Sequence, residues 1–109
     1  MPRLALLAAL LLAAGWARAG DVPTPARAAE LVRMVRQDCG ACHGLRLTGG
    51  LGPALTPQAL RAIPPDSLAA VIYHGRPGTP MPGWKTMLSE ADAAWIAQQL
   101  QAGLPAEKP

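Results

Sequence analysis

Residues 39–43 read Cys39-Gly40-Ala41-Cys42-His43. Two cysteines two residues apart, with histidine immediately after, suit one piece of chemistry closely. Two thiols can add across the two vinyl groups of a haem and form thioether bonds. Two intervening residues let the backbone turn so that both sulfurs reach the porphyrin edge. The next residue is then placed under the ring, where an imidazole ligates iron. Covalent attachment suits an exported protein, because the group cannot dissociate into a dilute compartment. Three other readings compete. A redox C-x-x-C of thioredoxin type needs a βαβ context and an activated thiolate, whereas these cysteines follow a helical pattern with no strands in view. A zinc site needs four ligands; only His43 and His74 add nitrogen donors, at a spacing that fits no finger. A plain disulfide is the third.

The flanks read as helices. On the N-terminal side, Thr24 then Pro25 is a cap followed by proline at the first helical position. Ala28, Leu31, Val32 and Val35 follow as an amphipathic stripe, so a helix is expected to about Gln37. On the other side comes a glycine-rich loop over 44–56. Thr56-Pro57 repeats the cap signal and opens a short helix to about Ala62. Pro64-Pro65 interrupts the chain, and Asp66 to His74 carries Leu68, Val71 and Ile72 at helical spacing, with Gly75 as the stop. Residues 75–84 hold three Gly and three Pro and exclude regular structure. Ser89 and Asp92 form a capping box for a last helix with Ala93, Ile96, Ala97 and Leu100 as its stripe and Gly103 as its end. The fold class is all-α: three principal helices, a short one, and two long loops of the kind that serve a function or wrap a ligand.

A haem iron in an electron carrier commonly takes a second axial ligand, often a methionine thioether. Met81 lies between Pro80 and Pro82. Prolines restrict their own φ and the preceding residue, so such a loop can hold a thioether with little entropy left to lose. Met81 is therefore the expected sixth ligand; His74, Met87 and an open position are the alternatives, though Met87 reads more readily as packing under the last helix, and Met34 is read as packing. Pro53 has two readings: its carbonyl orients the His43 ring, or it simply ends the glycine loop. Trp84 is a candidate for contact with the haem or its propionates, and Trp95 for the core. Arg46, Arg76 and Lys85 could pair with propionates but default to solvated charges.

The ends of the chain alter its arithmetic. It has 109 residues, half of them apolar, and a formal charge of +3. That size allows one small domain and excludes a multidomain enzyme. Without a Lys/Arg run, the charge gives no case for nucleic acid. Arg3, an apolar run from Leu4 to Ala14, and Ala17-Arg18-Ala19 form a secretory signal pattern, too short to span a bilayer. Residues 1–19 are thus expected to be a cleaved signal peptide and 20–109 a single domain. Without Arg3 and Arg18 the basic residues fall from 10 to 8 against 7 acidic, a net of +1. Only Tyr73, Trp84 and Trp95 remain as aromatics. That is a thin core for so short a chain, and a porphyrin would supply the missing apolar mass.

In the order of these features the sequence resembles the class I c-type cytochromes over nearly all of residues 25–102: helix, C-x-x-C-H, Gly52-Pro53, the Met81-Pro82 loop, Leu88-Ser89-Glu90, and a helix with Trp95-Ile96. The stretches 42–57 and 75–82 are similar, more narrowly, to the small cytochrome c55X, the nirC-type proteins of denitrification clusters. The resemblance implies a cytochrome c fold of three to five helices with the first and last crossing, and one haem c attached at Cys39 and Cys42 and held between His43 and Met81. It implies a periplasmic, monomeric electron carrier rather than an enzyme. Its partner would be cytochrome cd1 nitrite reductase or the proteins that mature haem d1. The competing functions are an accessory role in haem d1 biogenesis and a haem ligand sensor with an open iron. Gly83 departs from the proline, or other small residue, expected there, which puts the rigidity of the Met81 loop in question.

Overall fold

The computed structural model describes residues 22–105; the expected signal peptide lies outside them. The helices are α1 (Pro25–Met34), α2 (Gly40–His43), α3 (Pro57–Leu60), α4 (Pro65–His74) and α5 (Glu90–Ala102), with a π-helical turn, Val35–Cys39, joining α1 to α2. Among the described residues there is no strand. No described helix is long and apolar enough to cross a membrane.

The caps fall where side-chain chemistry places them. Thr24 Oγ1 accepts the Arg27 N–H (3.2 Å), and Thr56 Oγ1 accepts that of Ala59 (3.2 Å). Ser89 and Asp92 each accept the other's backbone N–H, at 3.0 and 3.1 Å. Pro65 occupies the first turn of α4, one residue earlier than expected, where its missing N–H costs nothing. α3 ends at Leu60, two residues short of the expectation.

The largest correction concerns the first helix, which does not stop near Gln37. Met34, Cys39 and Gly40 all have right-handed helical φ and ψ, so the helical backbone runs unbroken to His43. Nothing between Met34 and His43 can end it. There is no proline, and Gly40 costs only about 1 kcal/mol relative to alanine. Termination waits for Gly44, whose φ of 90° is open to glycine and closed to most other residues. The cysteines therefore lie on the helix rather than after it.

α5 is the spine of the core, packing against α4, α3 and α1. Ala93, Ile96, Ala97 and Leu100 are all buried, Ala97 completely. Leu31 and Val35 meet them from the first helix, and Leu68 and Ile72 from α4. Of the first helix's stripe, Ala28 and Val32 are only half-buried. Met87, read as packing beneath the last helix, is 51% exposed; its carbonyl accepts a hydrogen bond from Arg27 instead (3.1 Å).

Arg27 also pairs with Asp92 at 2.8 Å and with Glu30 at 2.7 Å, tying the start of α1 to the start of α5. Burial opposes the Asp92 charge. The hydrogen bonds from Arg27 and Ser89, and the Arg27 charge, outweigh it and hold the carboxyl below its ordinary value. A depressed carboxylate stabilises the fold above its unfolded pKa and loses that contribution as pH falls through the folded one. Asp92→Asn should therefore shed less stability than wild type as pH falls below about 4, by about 1 kcal/mol, in denaturant titrations. Parallel acid limbs would remove Asp92 from the account.

Candidate functional site

Residues three and four apart share a helix face, so Cys39, Cys42 and His43 project from one side of the π turn and α2. Cys39 is half-buried, Cys42 exposed and His43 buried. Cys39 and Cys42 are not joined to each other, which leaves the disulfide reading without a bond. Burial, with the neighbouring Asp38 charge, pushes the Cys39 thiol up to about 11. A thiol kept protonated at neutral pH is not the activated nucleophile that a redox C-x-x-C requires. Among the described residues no three His, Cys, Asp or Glu side chains converge to hold a metal, so four-ligand zinc finds no site.

The His43 ring is fixed by the loop that follows it. Its Nδ1 lies 2.6 Å from the Pro53 carbonyl oxygen. A carbonyl only accepts, so Nδ1 carries the proton and Nε2 keeps its lone pair. Gly52 lies against the ring: a Cβ there would be 2.7 Å from Cε1, 2.8 Å from Nδ1 and 3.1 Å from Nε2. The same loop seals the end of α2. Gly52 N–H donates to the Cys42 carbonyl (2.7 Å) and Gly49 N–H to that of His43 (2.9 Å), filling acceptors a helix end leaves open.

Met81 is held in a second loop by its own set of bonds. The Arg76 N–H donates to the Met81 carbonyl (3.2 Å), and the Thr79 hydroxyl and N–H both donate to the Arg76 carbonyl (2.7 and 3.1 Å). The loop is seated on the end of α4, where Trp84 and Lys85 donate to the carbonyls of Ile72 (3.1 Å) and Tyr73 (3.2 Å). Met81 is half-buried, and so is Trp84, which packs against the core. Trp95 also packs there. His74 is exposed and sets its ring edge-on to Tyr73, centroids 4.8 Å apart. The structure thus joins His43 to Pro53 directly and places Met81 and Trp84 on a separate loop. Two glycines shape the site although the sequence reading names neither as a site residue: Gly52 lies against the imidazole, and Gly83 seats the Met81 loop. The available signals are that Gly52 precedes Pro53 and that Gly83 lies two residues after Met81.

Residues 26–99 match the family described as cytochrome C oxidase, cbb3-type, subunit III. The chain is 56% identical to the cytochrome c55X of Pseudomonas aeruginosa over 85 residues, 78% of this chain and 71% of that one. It is 56% identical to the cytochrome c55X of Paracoccus denitrificans over 92% of this chain and 94% of the other. This chain belongs to the c-type cytochromes of the c55X family. A solved structure, the c-type cytochrome NirC, superposes with a TM-score of 0.73 at 56% identity, covering 75% of this chain and 96% of NirC. The dihydro-heme d1 dehydrogenase of Pseudomonas aeruginosa is 39% identical over 96% of this chain, which spans 20% of that longer protein.

A c55X cytochrome is an electron carrier, not an enzyme, and its cofactor is haem c. The donor set fits that group. Nδ1 of His43 is committed to Pro53, and Nε2 has no hydrogen-bond partner among the described residues, as an axial ligand requires.

Proposed function

We propose that this cytochrome is a periplasmic monohaem carrier of single electrons, with Cys39 and Cys42 as thioether attachment points and His43 and Met81 as axial ligands. When bound, haem c supplies a one-electron ferric/ferrous couple. The chain's residues do the rest. Pro53 holds the His43 tautomer and Gly52 its plane. The Arg76–Met81 loop presents the thioether, and Trp84 covers the site beside it. Two protein ligands leave no position for a substrate, which separates this reading from a ligand sensor. Residues 1–19 act as the export signal and 20–109 as the single, monomeric domain. The observation that carries the reading is the His43–Pro53 bond, backed by the Gly52 contact, directly after C-x-x-C-H.

The direct test is the absorption spectrum of the purified protein in both redox states, with Met81→Ala beside it. Wild type should show the weak sulfur-to-iron charge-transfer band and exclude carbon monoxide in the ferrous state. Met81→Ala should lose the band, bind carbon monoxide, and fall in potential by at least about 0.1 V of the roughly 0.8 V that axial ligands command. An unchanged spectrum would remove Met81 as a ligand.

For the partner we favour electron donation to cytochrome cd1 nitrite reductase in denitrification. The likeness to a dihydro-heme d1 dehydrogenase favours a second reading, exchange of electrons with the proteins that mature haem d1. Deleting the gene separates them. A reductase intact but starved of electrons supports the first; a reductase lacking haem d1 supports the second.

A further inference from the structure

A cavity of about 190 Å³ lies where the π turn, the loop after His43, the start of α3 and the chain just beyond α5 meet. Its walls include Arg36, Arg46 and Thr56 on the polar side, and Leu47, Leu55 and Leu104 on the apolar side. Among the described residues no carboxylate lines it. Neither arginine joins an ion pair among the described residues. Arg36 is anchored by one Nη, which donates to the Pro105 carbonyl at 2.7 Å. Its Nε is buried and has no hydrogen-bond partner among the described residues. Folded proteins rarely leave a buried charged donor unpaired. Thr56 Oγ1 already accepts the Ala59 N–H, so its hydroxyl proton remains free to donate. Among the described residues, two cations and a hydroxyl donor therefore share one small, half-open pocket with no negative charge to meet them.

We propose that this cavity binds a small organic carboxylate. The carboxylate sits among Arg36, Arg46 and Thr56, and a short hydrocarbon body lies against the three leucines. Guanidinium groups match a carboxylate in geometry and charge. The apolar wall selects against a fully hydrated anion such as phosphate, whose outer oxygens would face leucine without partners. A cavity of about 150 Å³ accommodates a benzene-sized molecule, so a four-carbon acid fits this one. His43 and Met81 do not line the chamber, and the inference stands apart from the ligand assignment above.

The test is a titration of the diamagnetic ferrous holoprotein with butyrate, and separately with inorganic phosphate, at constant ionic strength. The Arg36 Nε–H resonance and the Leu55 and Thr56 amides report binding. Butyrate should shift them saturably and phosphate more weakly. Arg36→Gln and, at an exposed position, Arg46→Gln should each weaken butyrate about tenfold or more, read on the amides, with the visible spectrum unchanged. Shifts that do not saturate, or that survive both substitutions, would overturn the site and leave Arg36 Nε to a water. Tighter binding of phosphate than of butyrate would overturn the assignment to an organic acid.

Discussion

Gly52→Ala should lose about 2–4 kcal/mol of stability and shift the reduction potential, although it adds a single methyl group. The methyl would stand 2.7 Å from His43 Cε1 and 2.8 Å from Nδ1, well inside ordinary contact. Neither side can retreat freely. The loop is pinned by the Gly52 N–H on the Cys42 carbonyl (2.7 Å), and the ring by Pro53 (2.6 Å). Overpacking of this kind costs about 1–3 kcal/mol, and a stretched His43–Pro53 bond adds about 0.5–1.5. Denaturant unfolding of the oxidised holoprotein measures the first effect, voltammetry the second. Gly40→Ala is the matched contrast inside the same motif. Its Cβ meets nothing closer than 3.6 Å, at Leu45 Cα, and a helical Gly→Ala exchange favours folding by up to about 1 kcal/mol. If both variants unfolded at the wild-type midpoint, the ring would not be wedged as described.

The contrast shows what the sequence could and could not convey. C-x-x-C-H states its chemistry locally, and so do the Thr-Pro and Ser-x-x-Asp caps, because the partners lie within a few residues. Helix existence and the α5 stripe were legible for that reason. The end of the first helix was not: the expectation stopped it near Gln37, but a stop needs a breaker, and the first residue that demands a positive φ is Gly44. The π turn was also invisible. One extra residue in a helical turn leaves no compositional mark, though here the turn runs into the C-x-x-C-H motif at Cys39, and such turns are frequent at functional sites. Met87 misled because its carbonyl, not its side chain, is used.

Long-range approach was the other blind spot. Gly52 reads as half of a Gly-Pro pair, and only the fold shows an imidazole against it. Leu47 is a similar case. It is buried with φ at 60°, a strained choice for a leucine. A side chain needed in the core accounts for it, with the Leu55 N–H bonding back to its carbonyl at 2.8 Å. The loop over 44–56 is thus set by contacts that no local pattern encodes.

Gly83→Ala should reproduce the spectral changes expected of Met81→Ala without touching the methionine. Glycine at 83 departs from the family expectation, and the sequence suggested a looser loop. The packing indicates the opposite. A Cβ at Gly83 would lie 2.6 Å from the His74 carbonyl carbon and 2.7 Å from the carbonyl oxygens of Tyr73 and His74. All three are backbone atoms at the end of α4. A proline would carry its Cβ to the same place. Gly75 closes the fit from the other side: its own Cβ would meet Gly83 N at 2.5 Å and the Met81 oxygen at 2.9 Å. The two glycines let two stretches of backbone touch. Parting them breaks the Trp84–Ile72 and Lys85–Tyr73 bonds, and the strain reaches Met81 two residues upstream. The expected result is a weakened sulfur-to-iron band, carbon monoxide binding in the ferrous state, and a stability loss of about 2–4 kcal/mol from overpacking and lost hydrogen bonds. Met81→Ala leaves those backbone bonds in place, so it should unfold closer to wild type. A Gly83→Ala protein that kept the band and excluded carbon monoxide would show that Met81 is positioned by its own Arg76–Thr79 turn and not by the seat on α4.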